Sequence, residues 1–313
     1  MSNMRDAVGL CVPYGKPNSQ YETEFEPATG TAWGYFKPKG VACYSLSMLK
    51  DLFAHDERLA ANRGRIEIEG DSQEVSYYVT GSRTPRVFNL GGDLALFVLL
   101  IKARDREALA HYAKLCIDIV YPCSQSFFSP TLTKIAMVQG DALGGGFEHA
   151  LASDLIVAEE SAQLGFPEIL FNLFPGMGAY SLLSRRIGMR AAEELILSGR
   201  VLPAAKLHEM GVVDVLAKDG EAPNAVRAWI AQNAKHRNGL QAAYAARRRV
   251  DRVTREELDD ITDVWVDAAF RLGDRDLRMM SRIVRAQMRR MEAGDVTDVA
   301  AAAIEEERLA AVG

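Results

Sequence analysis

The chain has 313 residues, 48% of them hydrophobic and 25% charged, and a formal net charge of −5. That composition supports a sizeable buried core in one large or two moderate domains and argues against general disorder, while the acidic balance offers no overall attraction to nucleic acid. No run of eighteen apolar residues could cross a bilayer, and Met1 to Gly9 lack the basic-then-apolar pattern of a signal peptide, so a cytoplasmic location without membrane insertion is expected.

Residues 1–30 are polar and punctuated by Pro13, Gly15, Pro17, Pro27 and Gly30, which predicts an irregular N-terminal extension. Regular structure is expected from Thr31, with a short strand at Trp33 to Phe36 and a helix capped by Ser45 that runs through Leu49, Leu52 and Phe53. The alternating runs Arg65 to Glu69 and Val75 to Val79 read as adjacent strands joined at Gly70-Asp71. A further strand, Arg86 to Leu90, ends in Gly91-Gly92-Asp93 ahead of a helix over 94–103. Taken alone, that glycine pair reads as an ordinary turn with Asp93 as N-cap, and an amide donor is the alternative. The helix over 105–121 carries Leu109, Tyr112, Leu115, Cys116 and Ile119 at helical spacing and is assigned to the core.

The densest signal is Val138-Gln139-Gly140-Asp141-Ala142-Leu143-Gly144-Gly145-Gly146-Phe147-Glu148, where an apolar strand passes through three glycines into a helix. Glycines permit backbone angles and close approaches that a Cβ forbids. A helix start leaves amides unpaired and adds partial positive charge, which suits a developing negative charge. Glu148 stands one turn past Gly145 on the same helical face, so a donor and a base face one reacting group. Further on, Phe166-Pro167-Glu168 and Phe174-Pro175-Gly176-Met177-Gly178 follow two short strands. Either glutamate taken singly could equally be a first-turn acid favouring a helix dipole. His149 points about 100° away from Glu148 around the helix and reads as a packed or surface side chain, while Glu159 and Glu160 read as solvated.

The four cysteines (Cys11, Cys43, Cys116 and Cys123) and the five histidines show neither C-x-x-C nor H-x-x-x-H spacing. No metal site or disulfide framework is expected, and buried reduced thiols fit better. No serine or cysteine occupies the apex of the glycine-rich turn, as a nucleophile elbow requires.

Two helices, over 180–187 and 190–197, are separated by Gly188 and end at Gly199. Beyond Gly220 the pattern is all-helical. Residues 235–292 carry 14 Lys and Arg against 10 Asp and Glu. The run Arg247-Arg248-Arg249 reads as a solvated helix face, with an acidic partner as the alternative. In the last helix Leu277, Met280, Val284, Met288 and Met291 form an apolar stripe, and the alanine-rich tail from Gly294 reads as a frayed helix.

Together these motifs resemble the crotonase superfamily, whose best-known members are enoyl-CoA hydratases. The resemblance extends from roughly Trp33 to Leu216, with glycine run, first glutamate, second glutamate and Pro-Gly turn in the family's order and spacing. Phe88-Asn89-Leu90-Gly91-Gly92-Asp93-Leu94 is similar to the family's earlier turn, Phe-x-Ala-Gly-x-Asp-Leu, with Leu90 in place of the small alanine. The resemblance implies a crotonase-like α/β (ββα) superhelix over residues 31–220 and a helical region over 221–313 for oligomerisation and active-site cover. It implies an oxyanion hole from the amides of Gly92 and Gly145, and catalysis by Glu148 and Glu168, with their acid and base roles open to exchange. No cofactor is implied beyond the phosphopantetheine of CoA or of an acyl carrier protein that delivers the thioester.

The N-terminal extension, the bulky run Ile169 to Phe174 and the Arg- and Met-rich C-terminal helices are similar to the diffusible signal factor synthase (RpfF-type) branch. That resemblance implies dehydration and hydrolysis of a 3-hydroxyacyl-(acyl carrier protein), such as 3-hydroxydodecanoyl, to a free cis-2-enoic acid used in quorum sensing. It also implies a homotrimer or hexamer and, in some relatives, a sensor histidine kinase partner. Leu143, Leu170, Phe171, Leu173, Phe174 and Met177 are candidates for the acyl pocket, with ordinary core packing as the alternative. A conventional hydratase on CoA thioesters and a non-catalytic lipid- or kinase-binding module are the competing readings.

Overall fold

Strands that are apolar on both faces need cover on both sides, and they form the centre of this molecule. A computed structural model describes residues 10–293. It opens with β1 (Val12–Tyr14), β2 (Tyr21–Glu26) and β3 (Thr31–Phe36), joined antiparallel. There follow α1 (Leu46–Ala61), β4 (Arg65–Ile68), β5 (Asp71–Glu74), β6 (Tyr77–Ser82), β7 (Val87–Asn89), α2 (Leu94–Lys102) and α3 (Arg106–Ser124). The next stretch holds β8 (Thr133–Val138), β9 (Asp141–Leu143), α4 (Gly145–Leu151), β10 (Leu155–Glu159), β11 (Gln163–Gly165) and a 3-10 turn at Pro167–Phe171. Then come α5 (Ala179–Ile187), α6 (Met189–Ser198), β12 (Val201–Pro203), α7 (Ala204–Glu209) and β13 (Val215–Ala217). Four helices end the described residues: α8 (Ala222–Asn233), α9 (Arg237–Val250), α10 (Arg255–Ala269) and α11 (Asp274–Ala293). This is the α/β, crotonase-like architecture, with helices gathered at the C-terminus.

The larger sheet runs β1-β2-β3-β6-β8-β10-β13 and is parallel from β3 onward. Every residue of β6, β8 and β10 is buried. A smaller sheet, β12-β11-β9-β7, keeps β7, β9 and β11 parallel. Because β8 belongs to one sheet and β9 to the other, the chain steps between layers at Gln139-Gly140. A Cβ on Gly140 would overlap the Arg86 carbonyl carbon, so this crossing admits only glycine.

Several expectations change. The N-terminal stretch is not irregular throughout: residues 12–14 and 21–26 are strands, Tyr21, Thr23 and Phe25 alternate inward along β2, and Pro13 is tolerated because β1 is an edge strand. The strand at 65–68 pairs with the polar return Asp71–Glu74 rather than with 75–79. Glu69 and Gly70, at φ 53° and 91°, make the two-residue turn, which frees Tyr77–Ser82 to lie between β3 and β8. Glu159 is buried and accepts from the Ala222 amide at 3.3 Å, so it anchors the start of α8 instead of facing water, while Glu160 is exposed. On α11 the buried residues are Leu277, Met279, Met280, Ile283, Ala286 and Gln287; of the expected stripe Leu277 and Met280 are buried and Val284 packs partly buried on the core, whereas Met288 is 47% exposed. The structure describes the backbone of Met291 but not its side chain, and the tail from Gly294 lies outside the described residues.

Arg247 and Arg248 do not form a free solvated face either. Asp154, 5% exposed, accepts from Ser126 Oγ at 2.7 Å and from the Lys134 amide at 3.0 Å on one oxygen, and pairs with Arg248 and Arg247 on the other. A carboxylate in the loop after α4 thereby fastens α9 to the sheet, chiefly through the mostly buried Arg248, while Arg247 stays half-exposed and Arg249 is exposed. Removing one member of such a buried group strands the others, typically at about 3–5 kcal/mol. Asp154→Ala should therefore lower the urea unfolding free energy by about that amount, read as a lower midpoint at unchanged m-value.

Candidate active site

Neighbouring parallel strands end on the same side of their sheet. Since β7 and β9 are paired in parallel, the glycine turns that follow them, Gly91-Gly92 and Gly144-Gly145-Gly146, emerge side by side. A Cβ built on Gly91 would stand 3.1 Å from the Gly145 nitrogen. Gly91 (φ 91°) and Gly144 (φ 50°) occupy the left-handed region that side chains disfavour. The earlier turn is tightly held: Gly91 donates to Asn89 Oδ1 at 2.8 Å, its carbonyl accepts from the Tyr44 amide at 2.8 Å, and the Tyr112 hydroxyl donates to the Tyr44 carbonyl while accepting from the Asp93 amide. Asp93 also caps α2 through the Leu96 amide. Among the described residues neither the Gly92 nor the Gly145 amide has an intrachain acceptor, so two donors remain at the mouth of one cleft.

Both glutamates line that cleft. Glu148, 2% exposed, accepts from the Met177 amide at 2.8 Å and the Ala179 amide at 2.9 Å through Oε1. Burial pushes its pKa up to about 7, and those two amides hold it back from rising further. Glu168 sits in the 3-10 turn, half-buried as a residue, yet its Oε2 is shielded and has no hydrogen-bond partner. Burial raises its pKa to about 8, with the Glu148 charge adding to the effect. A Cβ on Gly144 would overlap Glu168 Oε1. The glycine run thus makes room for the second carboxylate as well as shaping its own turn.

The cleft comprises about 620 Å³ of atom-free space, mouth included, and its walls are chiefly apolar. Of the six acyl-pocket candidates, Phe171, Leu173 and Met177 line it. Leu143 instead borders an adjoining hollow next to Glu168 and Gly92, together with Ile283 and Gln287 of α11. Leu170 packs over Gly199 and Phe174 against Tyr180, so neither reaches the cleft. Other walls went unassigned from sequence: Tyr44, Leu49, Phe97, Tyr112, Cys116, Ile119, Val120 and Trp265. Helix α3 is therefore both core and cleft wall, and its 3.6-residue periodicity is identical in either role. His149, buried among the rings of Phe36, Tyr44 and Phe88, also lines the cleft, and burial drives its pKa well below the ordinary value. Among the described residues no group of three or more His, Cys, Asp or Glu side chains could hold a metal ion, and no helix is long and apolar enough to cross a membrane.

This architecture recurs in solved structures. An enoyl-CoA hydratase-like protein of Streptomyces avermitilis superposes with a TM-score of 0.69 at 20% identity, covering 93% of this chain and 99% of its own. DspI of Pseudomonas aeruginosa superposes at 0.62 and 24% identity, covering 80% and 98%. At such identities the likeness is one of fold. In sequence, a probable enoyl-CoA hydratase of Mycobacterium leprae is 36% identical over 157 residues, 49% of this chain but only 56% of that protein, so the chain spans little more than half of that relative. The model of the enoyl-CoA hydratase/isomerase family matches residues 67–263, a stretch that contains both glycine turns and both glutamates. With well over half of its length inside that match, the chain belongs to the enoyl-CoA hydratase/isomerase family, the crotonases.

Proposed function

We propose that the cleft adds water to, and removes it from, the α,β positions of an acyl thioester, with Gly92 and Gly145 binding the thioester oxygen and Glu148 and Glu168 moving the protons. The observation that carries this reading is the pairing of two raised carboxyl groups with two amides that lack acceptors in one apolar cleft. With pKa values near 7 and 8, the favoured singly protonated state has Glu148 ionised and Glu168 neutral. That state is arranged for hydration. Glu148 takes a proton from water as its oxygen bonds to C3, the C2–C3 π electrons shift toward the thioester oxygen held by the two amides, and Glu168 gives its proton to C2. Dehydration runs from the exchanged state: Glu168 takes the C2 proton, and Glu148 protonates the departing 3-hydroxyl. Amides aimed at the enolate-like oxygen contribute on the order of 10²–10³ in rate for each donor, and each positioned acid or base roughly 10²–10⁴.

A finer reading follows the resemblance to diffusible signal factor synthases. Phe171 and Leu173, from the bulky run after the second glutamate, line the cleft, as befits a site for a medium-chain acyl group. In this reading the substrate rides on acyl carrier protein, and the unsaturated thioester is then hydrolysed. Water activated by Glu148 attacks the carbonyl carbon, the C–S bond breaks, and the thiol leaves with a proton from Glu168. Mass spectrometry of the products from 3-hydroxydodecanoyl-carrier protein separates the possibilities. Free cis-2-enoic acid upholds hydrolytic release, whereas reversible hydration of enoyl-CoA alone leaves a conventional hydratase. No turnover of either thioester removes the catalytic reading in favour of a binding module.

Glu148→Gln and Glu168→Gln should each lower kcat for hydration of a short enoyl-CoA by about 10²–10⁴ while leaving the circular dichroism spectrum unchanged. Since one carboxyl must be ionised and the other neutral, kcat/KM should follow a bell-shaped pH profile with limbs near 7 and 8. Both pKa values are raised in the fold, so protonation favours the folded state. That contribution is complete below the ordinary carboxylate pKa and is lost as pH rises through about 7 and 8. Calorimetry should accordingly find Glu168→Gln melting above the wild type at pH 9, with the difference vanishing toward pH 4.

A further inference from the structure

Helices α4 and α5 both start at the Glu148 clamp and both end at another hollow, which shares no wall residue with the catalytic cleft. It comprises about 890 Å³ of atom-free space, mouth included. Arg185 and Arg186 from the end of α5 and Arg247 and Arg248 of α9 line it, with Asp154, Asp214 and Asp251.

Direct contacts place these guanidinium groups. Arg186 Nη2 donates to the Ser153 carbonyl at 2.6 Å, Arg247 Nη2 donates to the next carbonyl, that of Asp154, at 3.0 Å, and Arg248 Nη1 pairs with Asp154 Oδ1. Three guanidinium groups are thereby gathered on two consecutive residues. Behind them the fully buried Lys134 ammonium donates to Ser153 Oγ at 2.9 Å. Against these four cations stand Asp154 and Asp214, the latter 3.3 Å from Arg186. Arg185 is committed to Glu257 at 2.8 and 2.9 Å and to Asp251 at 3.3 Å, so that group adds one negative charge. The neighbourhood keeps an excess of one positive charge in a chain of net charge −5.

The internal acceptors do not use up the donors. The second oxygen of Asp154 is taken by Ser126 Oγ and the Lys134 amide. Among the described residues Arg248 engages an acceptor only through Nη1 and Arg247 only through Nη2. The Arg248 side chain is 13% exposed, and buried polar groups of this kind are rarely left without acceptors. Burial pulls the Arg186 pKa below its ordinary value, and although Asp214 opposes the fall, the Arg247 charge adds to it.

We propose that this hollow is an anion site separate from the thioester cleft, and that it takes a phosphate-type group, inorganic phosphate or the phosphate end of a small metabolite, on the remaining N–H groups of Arg247 and Arg248. Guanidinium forks match phosphate oxygens in pairs, and a tetrahedral anion has enough oxygens to serve two forks at once, which a single carboxylate does not. Arg186 and Lys134 supply charge from behind without moving from their carbonyl and hydroxyl partners.

Equilibrium dialysis of the full chain against labelled inorganic phosphate at fixed ionic strength tests this, with glycerol 3-phosphate and acetate as competitors. The expected result is one phosphate per chain, displaced by glycerol 3-phosphate but not by acetate, and weakened about tenfold or more in Arg247→Gln and in Arg248→Gln. Arg249→Gln, the same charge change at an exposed neighbour, should bind as the wild type does. Arg247 is half-exposed, so Arg247→Gln reads binding in a folded chain even where Arg248→Gln lowers the urea midpoint. Equal loss in Arg249→Gln reduces the effect to net charge and overturns the site, as does equal displacement by acetate or affinity unchanged in both Arg247→Gln and Arg248→Gln. Repeating the dialysis with a saturating non-reactive acyl-CoA thioether keeps the two sites apart: undiminished phosphate binding upholds a separate site, and complete displacement assigns the phosphate to the catalytic cleft and overturns it.

Discussion

The arrangement depends on one buried carboxylate. Glu148 lies in the first turn of α4 and accepts two amides from the segment that begins α5. The start of a helix leaves amides without partners, and Glu148 supplies an acceptor to α5 from the start of another helix. The segment it grips contains Gly176, where a Cβ would overlap the indole of Trp265, and the Gly176 carbonyl accepts from Thr262 of α10. A single charge therefore joins α4 to the α5 entry, and that entry to the C-terminal helices that wall the cleft.

The same clamp separates the two acids. Burial raises both glutamates, but Glu148 has two amides on Oε1 while Glu168 has a shielded oxygen with no partner. Ionisation is consequently easier at Glu148, and once it is charged, its field opposes ionisation of Glu168. The separation arises from backbone placement and from the missing side chain at Gly144, which allows Glu168 close to the turn. No other ionisable side chain is needed to set the order of protonation.

Much of this was legible in the sequence wherever a residue type answers to a backbone demand. Three successive glycines between an apolar strand and a helix, the Ser45 cap and the Gly188 and Gly199 breaks each require a particular local geometry, and the chain adopts it. What escaped were relations between surfaces. The return strand Asp71–Glu74 carries no apolar alternation, so its pairing with β4 rests on a turn at Glu69-Gly70 that composition does not announce. Arg248 and Arg247 look like any basic helix face until Asp154, nearly a hundred residues earlier, is placed beneath them. Leu170 and Phe174 have the chemistry of pocket residues but pack elsewhere, and Leu143 borders an adjoining hollow, while Cys116, Ile119 and Val120 have the periodicity of core and border a cleft.

That last ambiguity has a physical origin. A cleft for an acyl chain is a portion of core in which some packing partners are to be supplied by the ligand, so its walls must read as core. Only polar exceptions mark where the ligand differs from hydrocarbon. Tyr44 belongs to that wall, and it is also bound to the first glycine turn: its amide donates to Gly91 and its carbonyl accepts from Tyr112, which in turn holds Asp93 beside Gly92. The backbone of one residue thus fixes the turn that presents the Gly92 amide.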